Sequence, residues 1–186
     1  MFLLIGYFSG CFQSAYILIK HFKKADISKV GSGNPGTANV LLSYGKTLAF
    51  FVLVLDMLKA VLPALLCAVI AQRTDVKAAM AICCLGVSLG HNFPFWRKFK
   101  GGKGVAVAVA TVLVVDFRIL LFSLLTAAVF SLLLKSATYG SYTFALMIFL
   151  CSVAFSHELT VIVCILIQSI MICILHLKRK PKLKRA

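Results

Sequence analysis

The chain has 186 residues, 61% of them hydrophobic, with a mean hydropathy of +1.00 and a formal net charge of +15. Such apolarity excludes an ordinary soluble domain and points to a polytopic α-helical membrane protein. Only five acidic residues are present, which leaves little scope for two-carboxylate chemistry.

In chain order, the apolar runs predict membrane spans over residues 2–19, 47–71, 78–93, 105–115, 119–134, 142–155 and 159–177. Several fall short of the roughly 20 residues that a perpendicular helix needs. The fourth reads either as a half-helix or as a span extended through Gly104 and Phe117. The first run lacks a basic leader and a small-residue cleavage site before Lys20, so it is read as a span and not as a signal peptide.

The basic residues fall mostly into alternate loops. Lys20, Lys23, Lys24, Lys29 and Lys46 flank the first loop; Arg97, Lys98, Lys100 and Lys103 fill another; Lys135 sits in a third. Lys178, Arg179, Lys180, Lys182, Lys184 and Arg185 form a tail. The remaining loops carry only Arg73, Lys77 and Arg118, offset by Asp75, Asp116 and Glu158. This positive-inside pattern predicts seven transmembrane helices with the N-terminus outside and the C-terminus cytoplasmic. It assigns the charge to topology and anionic lipids and not to nucleic acid. Residues 1–177 are expected to form one transmembrane domain and 178–186 a basic cytoplasmic tail.

Two glycine-rich cassettes stand at the edges of spans: Gly31-Ser32-Gly33-Asn34-Pro35-Gly36, continuing Thr37-Ala38-Asn39, and Lys100-Gly101-Gly102-Lys103-Gly104. Glycine allows tight turns that aim several N–H groups at one anion, and lysine adds charge. A tight inter-span loop would account for the first cassette by itself. The second precedes an apolar run, so it can place amides and a positive helix end at an anion. It is not a Walker A loop, because its spacing differs and Val105 stands where Ser or Thr would meet magnesium.

His91 closes the third run just ahead of the second cassette, where it is either an interfacial residue or a proton-transfer group. Phe93, Phe95, Trp96 and Phe99 read as an aromatic belt or as a wall beside an acyl chain. Asp56 and Lys59, three residues apart inside the second run, share a helix face and form either functional charges or a supporting ion pair. The seven cysteines all lie in spans without a CxxC and read as small apolar filler. No cluster of His, Cys and carboxylate has metal-ligand spacing, so neither a metal nor a cofactor is expected.

GSGNPG with its following Thr-Ala-Asn, Asp56-Met57-Leu58-Lys59, and the long Gly90–Ala106 segment GHNFPFWRKFKGGKGVA together resemble the bacterial acyl-phosphate-dependent glycerol-3-phosphate acyltransferases, the PlsY family. The resemblance covers nearly the whole chain. It implies a multi-pass protein of the bacterial plasma membrane whose active site faces the cytoplasm. It implies transfer of an acyl group from acyl phosphate to the 1-hydroxyl of glycerol 3-phosphate in phospholipid synthesis. It also implies Ser32 and His91 as catalytic residues. Gly31, Gly33, Asn34, Gly36, Thr37, Asn39, Lys100, Gly101, Gly102, Lys103, Gly104 and Ser141 would bind substrate, with Asp56 and Lys59 in support.

The chain departs from the family pattern at Ala38, usually Thr, and at Leu42, usually Arg. It departs again at Thr138, usually Arg in an Arg-Tyr-x-Ser pattern, and at Val107, usually Thr. The tail lacks the expected His and Asn, and His176 stands near that motif but out of register. The expected substitutes for the missing arginines are lysines such as Lys46 or Lys182. The alternative readings are an acyltransferase with a different hydroxyl acceptor, and a non-catalytic relative that binds lipid or a partner.

Overall fold

The computed structural model describes residues 1–72, 75–155 and 158–178. Among these, the regular structure is all helical: α1 (Phe2–Gly10), α2 (Ser14–Lys23), α3 (Thr37–Tyr44), α4 (Lys46–Ala71), α5 (Val76–Asn92), α6 (Val105–Val115), α7 (Phe117–Leu133), α8 (Ala137–Phe155) and α9 (Leu159–Lys178). Single 3-10 turns occupy Ile27–Lys29 and Phe95–Arg97. The predicted basic tail beyond Lys178 lies outside the described residues.

Among the described residues, five stretches are long and apolar enough to cross a membrane: Phe2–Lys23, Lys46–Ala71, Val76–Arg97, Ala137–Phe155 and Leu159–Leu177. The helices α6 and α7 are apolar but shorter. Each predicted run contains helix, and α6 has the expected limits.

Three local features depart from the sequence expectation. The first run is broken at residues 11–13, between α1 and α2. The first cassette does not stay a loop but turns into α3 at Thr37. The helix α8 starts at Ala137, five residues early. Gly140 reads as a loop signal, but it lets α8 approach α7: a Cβ there would lie 2.9 Å from Ser131 Cβ and 3.1 Å from the Ala127 carbonyl.

The buried helix α5 organises the bundle, packing on α1, α4, α6 and α9. Its crossing with α1 is made by two small-xxx-small pairs, Gly6/Gly10 and Gly86/Gly90. A Cβ on any of the four would collide with the facing backbone: Gly6 with the Cys83 carbonyl, Gly10 with Val87, Gly86 with Leu3, and Gly90 with Tyr7. With lipid on the outside, close backbone packing replaces the hydrophobic effect as the force joining helices. The second half packs around Val112, Ile119, Phe144, Ile148, Ile165 and Ile172. The cysteines are free thiols set among these helices, buried except for the half-buried Cys173.

Candidate active site at the ends of three helices

The break in the first span strands the last carbonyls of α1, which in lipid must find donors. Trp96 Nε1 donates to the Cys11 carbonyl at 2.8 Å and Lys59 Nζ donates to the Phe12 carbonyl at 2.6 Å. Gln13 Nε2 donates to the carbonyls of Gly10 (3.3 Å) and His91 (3.1 Å). The break is therefore a built feature, stitched from α4, from α5 and from the turn that follows it.

Lys59 and Asp56 are the centre of that stitching. Lys59 Nζ lies 2.9 Å from Asp56 Oδ1 and 2.8 Å from His91 Nδ1, and Ser14 Oγ donates to the same Asp56 oxygen at 2.7 Å. The ammonium has three hydrogens and three partners here: a carbonyl, a carboxylate and an imidazole. An ammonium has no acceptor to offer, so beside Lys59 in that form His91 Nδ1 accepts and a neutral ring carries its hydrogen on Nε2.

The ring of His91 is set against the second cassette. A Cβ on Gly102 would collide with the imidazole at Nε2. The Gly101 amide donates to the Asn92 carbonyl and the Gly102 amide to the His91 carbonyl, each at 2.9 Å. These two amides are occupied by the end of α5, so they shape the loop and do not aim at an anion as the sequence suggested. The chain then turns at Gly104, with φ of +82°, and enters α6 without a side-chain cap.

The first cassette is buckled by Asn39. Its Oδ1 accepts from the Ser32 amide and its Nδ2 donates to the Val30 carbonyl, both at 3.0 Å. Gly31 and Gly33 take left-handed φ values of 57° and 69°, where a side chain is strained, and a Cβ on Gly31 would also collide with the Asn39 amide. Asn34 packs under Gly36, which leads into α3, again without a side-chain cap.

These loops meet at one cavity of ≈ 420 Å³. Of the residues singled out from sequence, Ser32, Asn34, Gly36, Thr37, Asn39, Asp56, His91, Lys103, Gly104 and Ser141 lie on its wall. Gly31, Gly33, Lys59, Lys100, Gly101 and Gly102 do not, and Lys100 is exposed. The N-terminal ends of α3, α6 and α8 all open onto the cavity, through Thr37–Asn39, through Val105–Ala106, and through Ala137, Thr138 and Ser141. None of the three carries an acidic residue in its first turn. Three positive helix ends and Lys103 therefore surround one space. The rest of its lining includes the apolar side chains of Leu41, Leu53 and Val109.

The structure also revises the reading of His176, which the sequence left out of register. It lines the cavity from the end of α9. Its Nδ1 lies 2.8 Å from the Ile172 carbonyl and must donate to it, so the neutral ring presents Nε2 as an acceptor. Of the departures from the family pattern, Ala38 and Thr138 are on the wall, whereas Leu42 is 87% exposed and off it. Lys46, an expected substitute cation, is exposed and off the wall, and Lys182 lies outside the described residues.

A family model described as glycerol-3-phosphate acyltransferase matches residues 1–186. The chain is 41% identical over 138 residues to glycerol-3-phosphate acyltransferase 1 of Lactobacillus johnsonii, a match over 73% of this chain and 65% of that protein's own length. It is 34% identical over 181 residues to glycerol-3-phosphate acyltransferase of Pelagibacter ubique, over 97% and 91% of the two chains. A crystal structure of PlsY (YgiH), an integral membrane glycerol 3-phosphate acyltransferase, in its glycerol 3-phosphate form, superposes with a TM-score of 0.86 and 30% identity. That superposition covers 95% of this chain and 87% of the other. The chain belongs to the glycerol-3-phosphate acyltransferase family and is a membrane transferase.

Proposed function

We propose that the protein transfers an acyl group from acyl phosphate to the 1-hydroxyl of glycerol 3-phosphate, releasing lysophosphatidic acid and inorganic phosphate. The observation that carries this reading is the convergence of three helix N-termini and Lys103 on a cavity lined in part by apolar side chains. Such a space suits two phosphates and an acyl chain. The reading places seven spans in a bacterial plasma membrane, with the N-terminus outside and the cavity and basic tail cytoplasmic. The lysines of both cassette loops support that orientation, since they crowd the cavity end of the bundle.

Acyl phosphate is already an activated anhydride, so catalysis reduces to positioning and charge stabilisation. The glycerol oxygen attacks the acyl carbon, the bond from that carbon to the phosphate oxygen breaks, and the hydroxyl proton leaves on the released phosphate. Lys103 and the first amides of α6 hold the departing phosphate. Ser32, Ser141 and Thr37 offer hydroxyl donors to oxygens of the two substrates. His91, held by Lys59 through Nδ1, presents Nε2–H and serves as a donor, not a base. His176 Nε2 accepts from the glycerol. Asn34, Asn39 and the glycines keep the loops in register. Leu41, Leu53 and Val109 take the acyl chain, and exposed Lys100 draws anions toward the mouth.

Purified protein in lipid, given acyl phosphate and labelled glycerol 3-phosphate, should yield lysophosphatidic acid and phosphate in equal amounts. Absence of both products, where a family relative makes them, would refute the proposal. A second reading has one observation in its favour: Ala38 and Thr138 leave the wall without the threonine and arginine that the family pattern places there. Under that reading a different hydroxyl acceptor outcompetes glycerol 3-phosphate in an acceptor panel.

A further inference from the structure

A second cleft, of ≈ 480 Å³, opens at the same end of the bundle and shares no lining residue with the first cavity. Its walls are Tyr16, Ile17 and Lys20 of the first span, with Lys24, Ala25 and Asp26 beyond it, and Trp96 and Arg97 of the turn after α5. The transfer reaction makes no use of it.

The cleft is built. The Arg97 guanidinium lies 4.0 Å from the centre of the Tyr16 ring, and Tyr16 and Trp96 meet edge to face at 6.3 Å. Trp96 is pinned by its hydrogen bond to the Cys11 carbonyl. Lys20 falls in the last turn of α2, where a cation offsets the helix dipole, but that accounts for its charge and not for the cavity around it.

Asp26, the acid of the cleft, is already engaged. Its Oδ1 accepts from both the Ser28 hydroxyl (2.7 Å) and the Ser28 amide (2.9 Å). These bonds, with lesser help from Arg97 and Lys29, hold its carboxyl below the usual range. Among the described residues, no carboxylate pairs with Lys20, Lys24 or Arg97 within 4.0 Å. Three cations thus face one space with a single carboxylate, Asp26, which is bonded to Ser28 and within 4.0 Å of none of them. Ile17 and Trp96, beside them, are 43% and 46% exposed at the level where the first span ends.

We infer that this cleft binds the phosphate headgroup of an anionic membrane lipid, with Lys20, Lys24 and Arg97 on the phosphate and Tyr16, Ile17 and Trp96 along the lipid's glycerol and upper chain. The lipid source follows from the apolar, exposed edge beside the charges. Its position gives it a consequence for the active site. Residues 24–30 run directly into Gly31–Gly36, and Arg97 lies just ahead of Gly101–Lys103. A lipid held between Lys20, Lys24 and Arg97 ties together the two segments that carry the catalytic loops.

Trp96 is the single tryptophan of the chain, so its fluorescence reads the cleft directly and needs no acyl transfer. The full-length protein in phosphatidylcholine nanodiscs is titrated with short-chain phosphatidylglycerol, and separately with inorganic phosphate and with glycerol 3-phosphate. The lipid should give a saturable change in Trp96 emission; the two soluble phosphates should not. Replacing Lys20 and Lys24 together by Gln, both exposed and safe for folding, should raise the lipid midpoint roughly tenfold, as should Arg97→Gln. Lys135→Gln, at the same end of the bundle, and Lys103→Gln, in the other cavity, should leave it in place. Hydrogen exchange over residues 24–36 and 97–104 should slow on lipid binding. The inference is overturned by no saturable change with the lipid, or by an equal response to inorganic phosphate. It is overturned equally by an unmoved midpoint in the double variant, by a shifted midpoint in Lys103→Gln or Lys135→Gln, or by unchanged exchange in the two loops.

Discussion

Lys59 Nζ sits 2.8 Å from His91 Nδ1, and through that contact a basic group buried in α4 holds an imidazole at the end of α5. The same group closes the break in the first span at the Phe12 carbonyl. Fold and site therefore share one basic side chain. Lys59→Met leaves Asp56 buried without its partner and the Phe12 carbonyl without its donor. It should cost about 3 kcal/mol or more in stability, read as a lower unfolding temperature in detergent. The double variant Asp56→Leu/Lys59→Met should recover a large part of that loss yet remain inactive. Equal stability of the single variant and wild type would contradict the linkage.

Gly102→Ala tests the other face of the same ring. The added Cβ meets the His91 imidazole, the backbone amide stays bonded to the His91 carbonyl, and φ is not left-handed. The expected result is a folded protein with turnover reduced on the order of a hundredfold. Wild-type turnover would show that His91 does not need this position.

The two missing arginines should not be equivalent. Thr138 lines the cavity and Leu42 projects away from it. Thr138→Arg should lower the KM for glycerol 3-phosphate several-fold by supplying a guanidinium fork. Leu42→Arg should leave that KM unchanged. The reverse pattern in initial-rate kinetics would move the acceptor phosphate to the α3 side.

The corner between α6 and α7 supplies a pH test remote from the active site. Asp116 Oδ1 accepts from the Arg118 amide at 2.8 Å, capping α7, and Oδ2 accepts from Arg118 Nη2 at 2.8 Å. The Arg118 side-chain bonds, followed by its amide, hold the Asp116 carboxyl below the usual range. A depressed carboxylate contributes stability above its unfolded pKa of about 3.9 and loses it as the pH falls through the lower folded value. Asp116→Ala should therefore cost about 1 kcal/mol at pH 7. Its unfolding temperature should converge on wild type as the pH drops below about 4. A gap that persists unchanged in acid would separate the cap from the charge.

Much of this was legible in the chain. Local composition marks a membrane segment, because about twenty apolar residues must hide every backbone polar group inside one helix, and each of the seven runs contains helix. The two cassettes and His91 were equally plain, since glycine, lysine and histidine are costly at a span edge without a use. The pairs Gly6/Gly10 and Gly86/Gly90 were legible too: glycines four apart on two spans signal a close crossing, and the sequence reading passed over them.

Other features depended on partners far along the chain. The break at residues 11–13 looks apolar and continuous until Lys59 and Trp96 are brought to its carbonyls, 47 and 85 residues away. The Thr37 turn became a helix start, and the loop-like Thr138–Ser141 became another, because Asn39 and Ser131 pack where sequence shows only glycine and hydroxyl. His176 reached the cavity because α9 ends beside α5 and α6. Sequence by itself determined which segments are apolar enough for a membrane and which residues bring charge and flexibility to their ends. Only the tertiary structure decided which helix ends converge, because a cavity lined by three helix N-termini exists in no single segment.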